Sequence, residues 1–422
     1  MRIKFLIKII QNLVYFLFSQ GSTFILNFYL VKQIAKNEFG SFTMIMSTAI
    51  MLGSISDFGM GGLAARFISE FKNNEKQKAG QILRLSIFYS LFISIFLAIV
   101  YLFLSQYLNR LFFGNNSFKN EIMISSLVII LFSLNTTLVG ILVGLGKFTN
   151  LAMTGLIGGS LYLVIPIMLL NIFGIRGAIY GIALSYLIQV LFMFGMIRNT
   201  DIYKFPQIDK FSFFQERHFI LKYSIPSISG GFLATFGLWF LQYNILRTTQ
   251  NTGLIADFNI ANNIKTIVLI IPAVISGVSM NLLNSINALN TSKYKDVFKF
   301  SKSITFITTL ILATIFYVFS KEILFLFGKQ YQSNYLILGI LLLATIPETI
   351  TMSFSQILIT ENKLWKSFFL INLPRDGFVF ILLGTILINK YGIAGACYTY
   401  LLARIYSMVV VFFLTKKSKL ML

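Results

Sequence analysis

Five ionisable side chains stand in stretches that are otherwise apolar: Lys265, Glu348, the adjacent Arg375 and Asp376, and Arg404. A charge at hydrocarbon depth is costly unless it faces protein or water, so each marks a functional position by default. Such residues can do three kinds of work. Lys265, Arg375 and Arg404 can line a site for an anionic group, with Arg247 at its outer mouth. Glu348 and Asp376 can take up and release protons or cations, which makes them coupling or gating candidates. Arg375 can instead pair with Glu348 or Asp376 and tie helices together, although adjacent residues on a helix point about 100° apart and need not satisfy each other.

Polar but weaker candidates surround these five. Phe258, Asn262, Lys265 and Leu269 follow the spacing of one helix face, so Asn262 joins Lys265 in a polar stripe. Gln20 and Asn27 are seven residues apart and share a face of the first apolar run. Asp57 precedes Arg66 at the end of the second run, and reads either as an inner gate or, more simply, as a helix-end ion pair with the basic loop. Pro166, Pro226, Pro272, Pro347 and Pro374 lie in or beside apolar runs, where kinks free backbone groups and can act as hinges. The glycines of 155–159 and the Gly230-Gly231 pair suit close helix packing. The single cysteine, Cys397, allows no internal disulfide and belongs to no metal pattern, and the single histidine, His218, sits in a basic loop. No Walker A sequence, metal cluster or Ser-His-Asp set is present, so the chain reads as a non-enzyme that ATP does not drive directly.

The elements that must position these residues are membrane helices. With 56% hydrophobic and 12% charged residues, a chain of 422 residues could not present a soluble surface. Twelve apolar stretches approach the ~20 residues a spanning helix needs: Leu13–Val31, Gly40–Gly61, Ile82–Leu104, Ile122–Leu145, Leu151–Ile172, Gly177–Ile197, Leu221–Tyr243, Phe258–Leu283, Ser303–Ser320, Tyr335–Leu358, Ser367–Ile388 and Ile393–Leu414. At 1.5 Å per residue, Lys265 lies about 11 Å past the start of span eight, Arg375 about 12 Å into span eleven and Arg404 about 17 Å into span twelve. The connections are short and leave no room for a soluble catalytic module.

Formal charge is +21, and its placement decides what it means. With an even number of spans both termini share one side, and 23 of the 35 Lys and Arg residues fall there. Nine fall on the other side, and the remaining three are Lys265, Arg375 and Arg404. The positive-inside rule places both termini of this multi-pass protein in the cytoplasm. The basic face meets anionic membrane lipid, and nucleic acid is not implied. Met1–Lys8 and the apolar run after it start like a signal peptide, but the run is long and has no small-residue cleavage site before Lys32. It reads as a retained first span.

The chain repeats in halves. Asn171-Ile-Phe-Gly-Ile-Arg-Gly-Ala-Ile-Tyr180 recurs 218 residues later as Asn389-Lys-Tyr-Gly-Ile-Ala-Gly-Ala-Cys-Tyr398, with six identities in ten. Leu145-Gly-Lys147 echoes Glu361-Asn-Lys363, and Glu38-Phe-Gly-Ser-Phe42 echoes Leu254-Ile-Ala-Asp-Phe258, both at an offset of 216. The expected fold is an all-α polytopic membrane protein of 12 transmembrane helices. They form two six-helix lobes with pseudo-twofold symmetry along the membrane normal and a central cavity. Residues 1–200 form the first lobe, 201–219 a cytoplasmic linker and 220–422 the second lobe.

Ala35-Lys-Asn-Glu-Phe-Gly-Ser-Phe42, Asp57-Phe-Gly-Met-Gly-Gly-Leu-Ala-Ala-Arg66 and Ser69-Glu70 resemble the opening signature of bacterial polysaccharide-biosynthesis membrane proteins. These are the O-antigen and capsule lipid-linked oligosaccharide flippases of the multidrug/oligosaccharidyl-lipid/polysaccharide exporter superfamily. The Gly-Ile-x-Gly-Ala pair before spans six and twelve resembles it too. Many relatives carry an Asp-Arg type motif in span seven; here the region reads Trp239-Phe-Leu-Gln-Tyr-Asn-Ile-Leu-Arg247.

The resemblance implies a flippase that moves an undecaprenyl-diphosphate-linked oligosaccharide by alternating access, for surface polysaccharide synthesis. Arg404, Arg375, Lys265 and Arg247 would meet the diphosphate: Arg grips phosphate bidentately and Lys acts as a point charge. Gln20 and Asn27 would meet sugar hydroxyls or hydrogen-bond between helices. No cofactor is expected, a proton or Na⁺ is the candidate coupling ion, and a polysaccharide polymerase is a candidate partner. A multidrug cation antiporter of the same superfamily is the alternative, with Glu348 and Asp376 as its acids, although span one has no deep acid. A membrane glycosyltransferase or polysaccharide polymerase is a third, and it would ordinarily display a long outer loop.

Overall fold

The computed structural model describes residues 2–57, 59–114, 117–204, 225–285, 291–361 and 363–416. Its elements are helical: α1 (Arg2–Gln33), α2 (Lys36–Asp57), α3 (Met60–Phe71), α4 (Lys76–Phe113) and α5 (Lys119–Leu145) come first. Then follow α6 (Phe148–Phe173) and α7 (Ile175–Arg198), and the short α8 (Asp201–Lys204). The rest of the chain forms α9 (Ile225–Thr249), α10 (Thr252–Ser285), α11 (Thr291–Val318), α12 (Ser320–Phe327) and α13 (Tyr335–Thr360). After α14 (Leu364–Ser367) a π-helix covers Phe368–Leu383, followed by α15 (Gly384–Tyr391) and α16 (Ile393–Lys416). Eleven segments among the described residues are long and apolar enough to cross a membrane. Helix α9, whose 25 residues include a single charge, Arg247, occupies the place of the expected seventh span. Most of the expected linker, including His218, lies outside the described residues.

Helix α4 shows why these segments need hydrocarbon around them. Its large side chains Phe88, Phe92, Phe96 and Phe103 point outward, with Phe103 84% exposed. The opposite face buries Ser90, Ser94, Ala98, Tyr101 and Ser105. Small and hydroxylated residues inside with aromatic residues outside is the reverse of a soluble helix, and it suits close packing in lipid.

Contacts divide the chain into two compact units. The first comprises Met1–Leu30 with Phe42–Thr235, the second Val31–Ser41 with Phe236–Leu422. The first is centred on Phe67 and Ile68 of α3, Leu83 of α4, Leu138 and Leu142 of α5, and Met193 of α7. In the second, Leu283 of α10, Phe298 of α11, Phe354 and Ile357 of α13, Ile371 of the π-helix and Val411 of α16 pack together. Segment 31–41 is held there by Lys36, whose Nζ is 2.8 Å from Asp257 Oδ1, and by the Thr252 hydroxyl, which donates to the Asn37 carbonyl at 2.8 Å.

The repeat is visible in backbone geometry. Gly174 (φ 59°, ψ −143°) breaks α6 from α7, and Gly392 (φ 56°, ψ −135°), 218 residues on, breaks α15 from α16 in the same conformation. That region is essentially closed to residues with a Cβ. Three residues after each turn, a Cβ on Gly177 would collide with the Leu169 carbonyl, and one on Gly395 with the Leu387 carbonyl. Side-chain pairs repeat as well. Ser90 and Ser133 hydroxyls meet at 2.9 Å, as do those of Thr309 and Thr349. Asn135 donates to Gln189 at 3.1 Å where Thr351 and Ser407 meet at 3.2 Å.

Two boundaries differ from expectation in ways that bear on the site. The second span does not pass into a loop but breaks at Gly59, whose φ of 63° starts the separate helix α3. Helix α3 buries Met60, Gly61, Ala64, Phe67 and Ile68 and exposes Arg66, Ser69 and Glu70, an amphipathic pattern that a search for long apolar runs passes over. Helix α10 begins at Thr252, six residues before the expected Phe258, because its polar first turn is tied down by Asn37. Lys265 is therefore about 20 Å into its helix rather than 11 Å.

Candidate functional site: a buried charged cluster around Tyr400

Tyr400 gathers the charges of the second unit. Its hydroxyl accepts from Lys265 Nζ at 2.6 Å and from Arg404 at 2.9 Å, and donates to Glu348 Oε2 at 2.9 Å. The phenol's one donor and two acceptor sites are thus all used. Its ring also faces both cations, with Lys265 Nζ 4.0 Å and the Arg404 guanidinium carbon 4.6 Å from the centroid. Lys265 is only 4% exposed and Arg404 8%. Three helices bring these groups together: α10 carries Lys265, α13 carries Glu348, and α16 carries Tyr400 and Arg404 one turn apart. Lys265 and Glu348 each lie about 20 Å, and Arg404 about 17 Å, from the start of their helices, so the cluster sits at mid-depth.

Arg404 is incompletely satisfied. Its Nε lies 3.5 Å from Glu348 Oε2 and makes no hydrogen bond there, although it is buried. Arg375 and Asp376 complete the cluster. Of the readings open for Arg375, the structure has the pair with Asp376: Arg375 Nε donates to Asp376 Oδ1 at 2.7 Å and a terminal guanidinium nitrogen to Oδ2 at 2.5 Å, with Asp376 fully buried. The cause is the local helix. Pro374 removes a donor from the ladder, and the segment closes its bonds from i to i+5, so each residue turns less about the axis and neighbours draw together. Arg375 is within electrostatic reach of Glu348, and Asp376 of Arg404. Three cations stand against two carboxylates, leaving one positive charge in excess within a nearly dry interior. Such a site is suited to receive an anion.

The remaining expected residues fall elsewhere. Asn262 is part-buried on α10 one turn before Lys265, and its side-chain oxygen has no hydrogen-bond partner among the described residues. Arg247 is exposed near the end of α9 and takes no part in the cluster. Asp57 does not close on the basic loop: its Oδ1 accepts from the Thr137 hydroxyl at 2.6 Å and from the Gly61 backbone at 3.3 Å, capping the start of α3. Gln20 lines a cavity of about 390 Å³ inside the first unit; Asn27 does not.

That cavity and Tyr400 are what residue-by-residue reasoning missed. The cavity is walled by Tyr15, Tyr162, Tyr186, Asn135, Gln189 and Thr136 among others, and none of its lining residues is charged. Gly155, Gly158 and Gly159 form part of the wall; a Cβ on Gly158 would press on the Gln189 amide at 2.5 Å, and one on Gly155 on the Tyr15 backbone at 2.6 Å. For Tyr400 a signal was present: it precedes Arg404 by four residues and so shares its helix face.

A model of the family described as polysaccharide biosynthesis protein matches residues 6–280. Among solved structures, the chain is similar to an inward-facing conformation of a multidrug resistance MATE family transporter of the MOP superfamily, with TM-score 0.72 and 18% identity over 97% of this chain and 96% of that one. An outward-facing conformation of such a transporter gives TM-score 0.72 and 17% identity over 97% and 94%. A MOP superfamily transporter from Pyrococcus furiosus Vc1, whose binding pocket is described as of reverse polarity and suggestive of a different function, gives TM-score 0.72 and 16% identity over 97% and 94%. At such identities the likeness is one of fold. No curated protein matches the sequence.

Proposed function

This chain belongs to the polysaccharide biosynthesis protein family, and on that premise we propose that it is a flippase for polyprenyl-diphosphate-linked oligosaccharides in a bacterial cytoplasmic membrane. The observation that carries the reading is the excess of buried cations around Tyr400. A diphosphate leaving water needs fixed positive groups to replace its solvation. Arg404, with a buried Nε not yet hydrogen-bonded, and Lys265, held through a neutral phenol, are the groups free to turn to it. Arg375 keeps its bidentate grip on Asp376 and contributes field rather than contact. Asn262 offers an unpaired amide oxygen beside Lys265, and Arg247 supplies a further charge near the end of α9.

In this reading the carrier alternates between inward-open and outward-open states. Glu348 is the gating acid: it holds Arg404 when no cargo is present and yields it when phosphate arrives. Uptake of a proton or Na⁺ at Glu348 would couple the cycle to an ion gradient, and the exported unit would pass to a polysaccharide polymerase. The bias of Lys and Arg to one set of loops supports cytoplasmic termini.

The test is translocation in vesicles loaded with a fluorescent polyprenyl-diphosphate oligosaccharide. The wild-type chain should move the headgroup across, and Arg404→Ala should slow it roughly tenfold or more, in line with loss of a charge-assisted phosphate contact. Unchanged flipping by Arg404→Ala would remove the cluster from the mechanism. No flipping by the wild type, with efflux of an organic cation instead, would favour the antiporter.

A further inference from the structure

The first unit holds a partly open cavity of another chemistry. Its cavity of about 390 Å³ is within the size range of small-molecule sites. Taking ~30 Å³ as the share of one water, it has room for roughly a dozen heavy atoms and their hydrogens. Three tyrosines face it, with Tyr162 and Tyr186 edge to face at 5.5 Å and Phe132 against Tyr186 at 5.9 Å. An amide chain lines it beside them: Asn135 donates to Gln189, and Gln189 donates to the Gly158 carbonyl at 3.1 Å. Ser19, Gln20 and Thr23 add hydroxyl and amide groups from α1.

No charged side chain lines the space, and Asp57 of α2 is occupied by Thr137 and Gly61. A cation or an anion would enter with no counter-charge at heavy desolvation cost. A purely apolar ligand would strand the amides. What suits both kinds of lining is an uncharged polyol ring, whose C–H face lies on the electron-rich face of an aromatic ring while its hydroxyls meet amides that can both donate and accept.

We infer that this cavity binds a neutral sugar ring, with Tyr186 and Tyr162 as its stacking platform and Asn135, Gln189 and Gln20 as its hydroxyl readers. The inference deepens the export reading and rests on it only for the identity of the glycan's carrier, since sugar binding can be measured alone. The probes are methyl glycosides of glucose and N-acetylglucosamine, with inorganic diphosphate as a separate arm, added to the full chain in detergent micelles. The measurement is saturation transfer to the sugar ring protons by NMR.

Wild-type protein should transfer saturation to the glycosides. Arg404→Ala should do so equally while weakening diphosphate binding. Tyr186→Ala and Gln189→Leu should lose the sugar signal at least tenfold. Should either variant fold poorly, Gly158→Ala provides a gentler arm, because its Cβ displaces the Gln189 amide without removing a side chain, and it should weaken sugar binding in the same direction. Absence of transfer in the wild type, or full transfer in Tyr186→Ala and Gly158→Ala together, overturns the site. Sugar binding that obeys these variants in a protein that flips nothing sustains the site and removes the flippase reading; flipping without sugar binding does the reverse.

Discussion

In the second unit Arg404 faces Glu348 across 3.5 Å; in the first, 218 and 216 residues earlier, Tyr186 packs edge-on against Phe132 at 5.9 Å. The same offsets put Ile182 in the place of Tyr400, and Ala49 in the place of Lys265. Around these positions the scaffold is kept: hydroxyl pairs between α4 and α5 and between α11 and α13, and polar pairs between α5 and α7 and between α13 and α16. One duplicated frame has therefore been filled in two ways, with aromatic rings and amides in the first copy and with a charged hub in the second. The difference teaches that one frame can hold different side-chain chemistry at equivalent positions, and that a frame tie such as Asn135–Gln189 can itself face the cavity.

The strongest way to break the comparison is to remove the acid at the hub. Glu348→Ala leaves Arg404 and Lys265 buried without their carboxylate and should cost about 4 kcal/mol, seen as a lowered thermal midpoint in detergent. The double variant Glu348→Phe with Arg404→Tyr, which copies the first unit's pair, should recover most of that loss yet flip no cargo. Recovery of both stability and flipping would mean the hub is only a tie.

The glycine hairpins come next. Gly177→Ala and Gly395→Ala each force a Cβ into a backbone carbonyl and should cost about 2–3 kcal/mol by overpacking. The duplication demands similar losses, and tolerance of one but not the other in thermal unfolding would limit the likeness to sequence. Tyr400→Phe keeps the ring and deletes the hydroxyl, leaving Lys265 without its acceptor. A loss of about 2 kcal/mol is expected, together with slower flipping. Smallest are the paired hydroxyls: Ser90→Ala and Thr309→Val should each cost about 1 kcal/mol and leave transport intact.

Much of this organisation was legible from residue order. Runs near membrane length marked the spans, and the six identities between 171–180 and 389–398 announced the duplication, two of them being Gly174 and Gly392, whose backbone angles suit no other residue. Lys265, Glu348, Arg375, Asp376 and Arg404 were found because charge in an apolar run stands out. What stayed hidden was polar but uncharged. Tyr400 counts as hydrophobic in composition, and Tyr15, Asn135, Tyr162, Tyr186 and Gln189 belong to four helices, so nothing in their local sequence gathers them. Helix α3 escaped because amphipathic periodicity in twelve residues is lost beside longer apolar runs. Residue order left the Arg375–Asp376 pair open because α-helical rotation sets neighbours apart, and the wider turn around Pro374 is not visible in it.

The tight turn at Gly392 has a mechanical corollary. With no space for even a methyl group between Gly395 and Leu387, the two arms of that hairpin slide past each other with difficulty. They behave as one stiff panel bearing Tyr400, Arg404, Asp376 and Arg375, while Lys265 and Glu348 belong to neighbouring helices outside it. Any working motion within this half of the protein must then open along the seam between the panel and those neighbours, parting Arg404 from Glu348 while Arg375 and Asp376 travel together.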